Sequence, residues 1–279
     1  MSGTVLHTTK GIILRAVKYG ETSLILTVYT SLFGTQSYLI NGIRSSSKNG
    51  NNKAAFFQPA SLLELVVYHN EFKNLQRIKE YRWSHLYQHL FFDVKKNCVA
   101  LFMIELLQKT LKQPDPHPEL FEFIEDAFIH LDEANDTIVA NFPLFFATQL
   151  MGFFGFRISD DHDNSFTIFD LAEGAFVKEP PAHSHYINEA GSILLSHLLK
   201  VMHPSELVEL NMNVEKRRTL MRRGRVPEGA LPRPREICLL WAYSCDQGRD
   251  FWGAREAGRG RGARAACLRG VAVCRAGSA

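Results

Sequence analysis

Apolar and polar residues alternate along residues 11–30, GIILRAVKYGETSLILTVYT, in two runs separated by Tyr19-Gly20-Glu21. In the second run Leu24, Leu26 and Val28 fall on one side and Ser23, Ile25 and Thr27 on the other. That two-residue period predicts a half-buried strand. Phe33-Gly34-Thr35 reads as a turn, and Gln36–Ile43 as a third strand-like run. Ser61–Tyr68, SLLELVVY, is a strongly apolar fourth, and Asn74–Arg82 a fifth. Between the third and fourth lies Arg44–Lys53, RSSSKNGNNK, too rich in Gly, Asn and Ser to pack and therefore expected to be a long mobile loop. Five short strands within residues 1–82 predict a small closed sheet, because closure removes exposed strand edges. The five-stranded version is the OB-fold; an SH3-like barrel shares the signature.

From Trp83 the period changes. Leu86, Leu90, Val94, Cys98, Leu101, Ile104 and Leu107 recur every three or four residues up to Lys112, the pattern of one long amphipathic helix. Pro114, Pro116 and Pro118 end it. Pro118 suits the first turn of a second helix, where Glu119 and Glu122 complement the positive helix end. Leu120, Phe123, Ile124, Ala127, Phe128 and Leu131 mark its buried face. A third helix is expected from about Pro143 to Phe153, and others at Asn188–Met202 and, after the stop at His203-Pro204, at Ser205–Arg222. The whole predicts a β + α multidomain chain: a five-stranded OB-fold barrel over 1–82, an all-α helical bundle over 83–222, and an atypical tail over 223–279.

Charge separates the same regions. The net +3 of the 279-residue chain hides +6 in residues 1–82, −9 in 83–222 and +6 in 223–279. A basic module ahead of an acidic one implies different tasks, and a basic surface of this kind faces phosphate. No run reaches the ~18 apolar residues of a membrane span, and the first residues, MSGTVLHTTKG, lack the apolar stretch of a signal peptide, so a cytoplasmic location is expected. Cys98 is the only cysteine before residue 223, which argues against a disulfide framework and for a buried thiol.

The cations sit where side chains reach solvent. Lys10, Arg15, Lys18, Arg44, Lys48 and Lys53 fall at strand ends and in loops, with Tyr19, Tyr29, Phe33 and Tyr38 in the same region. Single-stranded nucleic acid is held by this combination, cations along its backbone and rings under its bases. Phe33 and Tyr29 read better as core, and Lys48 and Lys53 as phosphate contacts. The candidate DNA-binding set is Lys10, Arg15, Lys18, Tyr19, Arg44, Lys48 and Lys53.

These residues also resemble a known family. Tyr19 to Thr30 (YGETSLILTVYT), then Gly34, Gly42-Ile43-Arg44, Gln58-Pro59 and Leu62-Leu63-Glu64-Leu65 together are similar to the RecO pattern, an ordered set over about fifty-five residues. The resemblance implies an N-terminal OB-fold, a helical C-terminal domain and a bacterial recombination mediator. Such a protein binds single- and double-stranded DNA, anneals complementary strands and partners with RecR. It also binds the acidic tail of single-stranded-DNA-binding protein, and so helps RecA load on gapped DNA. Leu144–Phe156 likewise resembles the family's helical domain, where a helix ending in Leu-x-Gly-Phe/Tyr-x-Gly precedes an irregular insert. Many relatives carry a four-cysteine zinc module there, whereas Arg157–Pro181 contains no cysteine, so this chain resembles a zinc-free branch. In relatives, basic residues near the Leu144–Phe146 helix help hold the acidic partner tail; here the stretch is apolar.

Neither cofactor nor metal is expected, and no chemistry of the chain's own. Asp160-Asp161-His162-Asp163 fails as a calcium loop, because position six would be Phe166 and position twelve Ala172. A metal hydrolase pairing these carboxylates with His183 and His185 is the weakest alternative, and a protein-binding adaptor with an acidic bundle is another. No phosphate-cradling glycine loop, Gly-x-Ser-x-Gly elbow or His-Glu-x-x-His occurs. After Arg222 the tail holds eleven Arg and no Lys, and four cysteines, Cys238, Cys245, Cys267 and Cys274, spaced too widely for a zinc ribbon. It reads as a frame-shifted or aberrant, disordered extension replacing the final amphipathic helix that the resemblance implies. The alternative is an Arg/Gly nucleic-acid-binding tail.

Overall fold

The computed structural model describes residues 5–43, 53, 55–155, 158–163, 165–210, 212–213, 216–217 and 220. The expected loop at 44–53, Lys53 apart, and the tail at 223–279 lie outside the described residues. The chain forms two compact units, Met1–Ala134 and Asn135–Ala279.

In the first unit five strands close into a barrel: β1 (Val5–Tyr19), β2 (Ser23–Thr30), β3 (Gly34–Ile40), β4 (Leu62–His69) and β5 (Leu75–His85). Their order, β1-β2-β3-β5-β4, is that of the OB-fold. Strand β1 closes the ring by pairing with β4 through its first half and with β2 through its second. The β3–β5 pairing alone is parallel, over Ser37–Leu39 and Leu75–Arg77. Ile13, Leu26, Val28, Tyr38, Leu63, Leu65 and Val67 fill the interior, so the alternation in β2 points where expected, and the apolar β4 alternates as well. At Gly11 a Cβ would stand 2.8 Å from Val28 Cγ1 and 2.9 Å from Leu65 Cδ1, which is why β1 carries glycine where it crosses the barrel centre.

Ile12 breaks the simple inside–outside rule. Opposite Tyr29 of β2 and Leu62 of β4, it forms with them a row outside the barrel, yet all three are at most 1% exposed. Two helices cover them, α1 (Val94–Thr110) and α2 (Pro118–Glu133). The Phe121 ring lies 5.8 Å from that of Tyr29, whose hydroxyl donates to the His117 carbonyl at 3.4 Å. Burial pushes that hydroxyl's pKa up to about 12, so it stays a donor. Gln108 Nε2 donates to the Leu14 carbonyl at the β1 bulge, 2.6 Å away. At the far end Thr35 Oγ1 donates to the Leu111 carbonyl at 3.1 Å. Beside it Gly34 (φ +61°) would drive a Cβ to 2.5 Å from the Asp115 carbonyl oxygen. Barrel and helices are thus packed as one body through residue 134.

The expected helix from Trp83 is corrected. Residues 83–85 belong to β5, and the helix begins only at Val94, capped by Asp93, whose Oδ1 accepts from the Lys95 and Lys96 amides at 2.7 and 3.1 Å. The intervening turn is tied instead to Asp132, at the end of α2. Its carboxylate accepts from the amides of Gln88 (2.9 Å), His89 (2.8 Å) and Leu90 (2.5 Å). Its carbonyl takes the buried Lys96 ammonium. The buried face of α1 is Val99, Ala100, Met103, Ile104, Leu106 and Leu107. Val94 is 61% exposed, and Cys98 is half-buried rather than buried. In α2 the proline start holds, but Phe121 is buried where Phe123 was expected.

The second unit contains α3 (Asp136–Phe153), β6 (Ile168–Asp170), β7 (Ala175–Val177), β8 (Tyr186–Ile187) and α4 (Glu189–Lys200). Helix α3 begins seven residues before Pro143, at the Asn135 cap, whose Oδ1 accepts from Thr137 and Ile138 at 3.0 and 3.1 Å. The proline costs one internal hydrogen bond, and a helix buried on nearly every side carries it. The insert read as irregular forms a three-stranded sheet, β7-β6-β8. Asp170 Oδ1 accepts from the Ala172 amide at 2.7 Å in its hairpin, and the Phe169 and Phe176 rings pack 5.0 Å apart. The helix expected from Ser205 is a 3-10 turn, Pro204–Val208; Lys216, Arg217 and Leu220 are helical again among the described residues. Arg217, 7% exposed, donates to Asn141 Oδ1 at 3.0 Å and to the Met212 carbonyl at 2.6 Å.

Candidate nucleic-acid interface

Strand directions sort the candidate residues. Strands β1, β3 and β5 run toward one end of the barrel, where β2 and β4 begin. That end carries the β1–β2 turn and the long β3–β4 connection, residues 41–61. Two hydrogen bonds join them: the Ile43 amide donates to the Thr22 carbonyl, and Ser23 Oγ donates to Asn41 Oδ1, both at 3.0 Å. Gly20 (φ +58°) and Gly42 (φ +72°) make the two turns possible.

Lys18 and Tyr19 stand exposed at the end of β1, beside the β1–β2 turn, Tyr19 at 55%. Arg15, opposite Thr27 on β2, is exposed on the same strand, and Lys53 is exposed in the connection. Arg44 and Lys48 lie outside the described residues.

Lys10 is different. Its ammonium sits 2.9 Å from both carboxylate oxygens of Glu125 on α2, so it already has an anion. Three of the four rings named with the cations are also spent elsewhere. Tyr29 lies under α2, and Tyr38, at 0% exposure, lies inside the barrel. Phe33, at the opposite end, stacks on His69 at 3.9 Å and meets His7 edge-on at 5.2 Å. Tyr19 alone of the four is exposed beside the cations. Sequence reasoning passed over Phe56, Tyr81 and Trp83, three half-buried rings at the cation-bearing end. Their signal was muted, because Phe56 sits between the expected loop and the fourth strand with no element assigned to it, and Trp83 was assigned to a helix.

The acidic loop of the second unit does not assemble a centre. Asp160 pairs with Lys200 at 3.1 Å, and Asp163 Oδ1 accepts from the Ser165 and Phe166 amides at 2.6 and 2.8 Å. His183 pairs with Asp170 at 3.4 Å. Among the described residues no three His, Cys, Asp or Glu side chains are placed to hold a metal ion, and no helix is long and apolar enough to cross a membrane. Leu144, Phe145 and Phe146 are core, at most 3% exposed.

A closed five-stranded OB-type barrel with exposed cations, followed by a largely helical second unit, defines a two-part β + α class of protein. Comparison with known proteins narrows it. Residues 1–87 match the family described as Recombination protein O N terminal, and residues 92–221 match Recombination protein O C terminal. The DNA repair protein RecO of Flavobacterium psychrophilum is 32% identical over 168 residues, 60% of this chain and 69% of that protein. That of Bacteroides fragilis is 32% identical over 193 residues, covering 68% and 78%. That of Phocaeicola vulgatus is 27% identical over 217 residues, covering 78% and 89%. The chain belongs to the RecO family.

Proposed function

We propose that this chain is a DNA repair and recombination mediator that works by binding rather than by chemistry of its own. It holds single- and double-stranded DNA, anneals complementary strands and, with RecR, assists RecA loading on gaps coated with single-stranded-DNA-binding protein. One observation supports the reading: in a RecO-family chain, Arg15, Lys18 and Tyr19 are exposed along the second half of β1, and Lys53 is exposed in the β3–β4 connection of a closed barrel. Arg44 and Lys48, in the connection at that end, belong to the same proposed path. Lys10 joins it only if phosphate displaces the Glu125 carboxylate.

Each phosphate neutralised on single-stranded DNA releases condensed counterions, so binding weakens linearly on logarithmic axes as salt rises. Replacing Arg15 and Lys18 together by Ala is expected to reduce that slope by about 1.4, two contacts at roughly 0.7 each. Fluorescence anisotropy of a labelled oligonucleotide across a salt series measures it. An unchanged slope moves the DNA path off this rim; no binding at low salt removes the reading altogether.

A further inference from the structure

Among the described residues, the barrel end that bears the cations also carries a group of stacked rings. Phe56, in the β3–β4 connection, lies face to face with Trp83 of β5, with centroids 4.6 Å apart and planes 22° from parallel. Tyr81 meets Phe56 edge-on at 5.1 Å and Phe57 at 4.9 Å. The four rings have different standing. Phe57 is 2% exposed and part of the barrel core, whereas Phe56, Tyr81 and Trp83 pack against that core and keep part of their surface in solvent.

The surrounding charges suit a polyanion with flat bases. Lys53 is exposed three residues before Phe56. Arg82, between Tyr81 and Trp83, is turned to Glu64, with which it makes bonds of 2.7 and 2.8 Å, so its charge is already paired. A cation beside a group of rings is an arrangement in which backbone and bases of one strand can be held by different groups. Every base has a π-face, so such a surface takes bases without regard to sequence.

We infer that the Phe56–Trp83 pair, edged by Tyr81, is a base-stacking platform for single-stranded DNA. The inference rests on the DNA-binding reading above and adds to it the side chains that take bases rather than phosphates.

The test separates the two. The full chain is titrated with a labelled oligothymidylate and with an oligonucleotide of the same length made of abasic sugars, which keeps the phosphates and lacks the rings. Wild-type protein is expected to prefer the base-bearing strand by about tenfold, within the range of one stacked base. Trp83→Leu and Phe56→Ala are expected to bring that ratio to within about twofold, leaving the abasic affinity and the salt slope as in wild type. Trp83→Phe, which retains a ring, restores most of the preference. A wild-type ratio near one, or variants that keep the full preference, overturns the platform while leaving phosphate binding intact. Failure of wild type to bind either strand at low salt overturns the DNA-binding reading instead. Should Trp83→Leu not fold, Phe56→Ala carries the same comparison, and the wild-type ratio depends on no variant.

Discussion

A fragment ending at residue 87 is expected to be unfolded or aggregated, whereas one ending at residue 134 melts as a single cooperative unit. The first is the natural cut from sequence, because the family's N-terminal match covers 1–87. It leaves Ile12, Tyr29 and Leu62 facing water on the outside of the barrel, each now at most 1% exposed. Covering a side chain of that size contributes about 1.5–3 kcal/mol, so losing the cover from three removes roughly 5–9 kcal/mol. A domain's whole stability is about 5–15 kcal/mol. The cut also removes Gln108, Leu111 and Glu125, partners of Leu14, Thr35 and Lys10. Thermal melts followed by circular dichroism compare the two fragments. A fragment 1–87 that melts cooperatively at the temperature of 1–134 would show that the helices contribute nothing to the barrel.

Asp132→Ala is expected to be the most damaging single substitution away from the barrel interior, costing on the order of 3–5 kcal/mol. The carboxylate satisfies three consecutive amides, Gln88, His89 and Leu90, at a site only 3% exposed. Removing it leaves the buried Leu90 amide and the part-buried Gln88 and His89 amides without their acceptor, at about 1–3 kcal/mol for a buried donor and less where water can enter. Urea denaturation measures the loss, and Asp132→Asn is expected to recover part of it. Burial opposes the charge on Asp132, but the three amides and the nearby His89 outweigh it and hold its pKa below the ordinary carboxylate value of 3.8. A carboxyl depressed by folding stabilises the native state above its unfolded pKa and loses that contribution as pH falls through the folded one. Wild type and Asp132→Asn are therefore expected to converge in stability only below pH 3.8, from wild type's side. Convergence well above that pH would mean the carboxylate is not held by these amides.

The barrel was legible because its strands repeat every two residues and its turns carry Gly and Asn. Leu24, Leu26 and Val28 reach the core as their alternation predicted. The first six residues of β1 were missed, since Leu6, Thr8 and Lys10 on that stretch are exposed and weaken the pattern. Ile12-Ile13-Leu14 looked like one apolar run for a reason that tertiary structure supplies: the barrel takes one face and the helices the other. The false helix start at Trp83 came from extending a real helical period backwards through Leu86 and Leu90. What stops it is Asp132, forty-two residues away from Leu90 in sequence, which no local pattern reveals. Pro143 misled in the opposite sense, marking a start that lies inside α3.

The candidate site was legible in its charges and only weakly in its rings. Arg15, Lys18 and Lys53 are exposed as their positions implied. Tyr29, read as core, is buried, but a tyrosine in a strand gives no sign that its cover is a helix far along the chain rather than the barrel interior. Lys10 was indistinguishable from Arg15 until Glu125 came beside it.

The helices that roof the barrel are made last, and this matters while the chain is being built. Once residue 87 has left the ribosome, every strand of the barrel exists, but the row of Ile12, Tyr29 and Leu62 has nothing to lie under until residue 134 follows. At about 5–20 residues per second that interval is roughly 2–10 s, long compared with the collapse of a small sheet. For those seconds each nascent chain presents an apolar stripe to its neighbours on the same message. The order in which the chain emerges thus makes this barrel a client for whatever holds unfinished proteins apart.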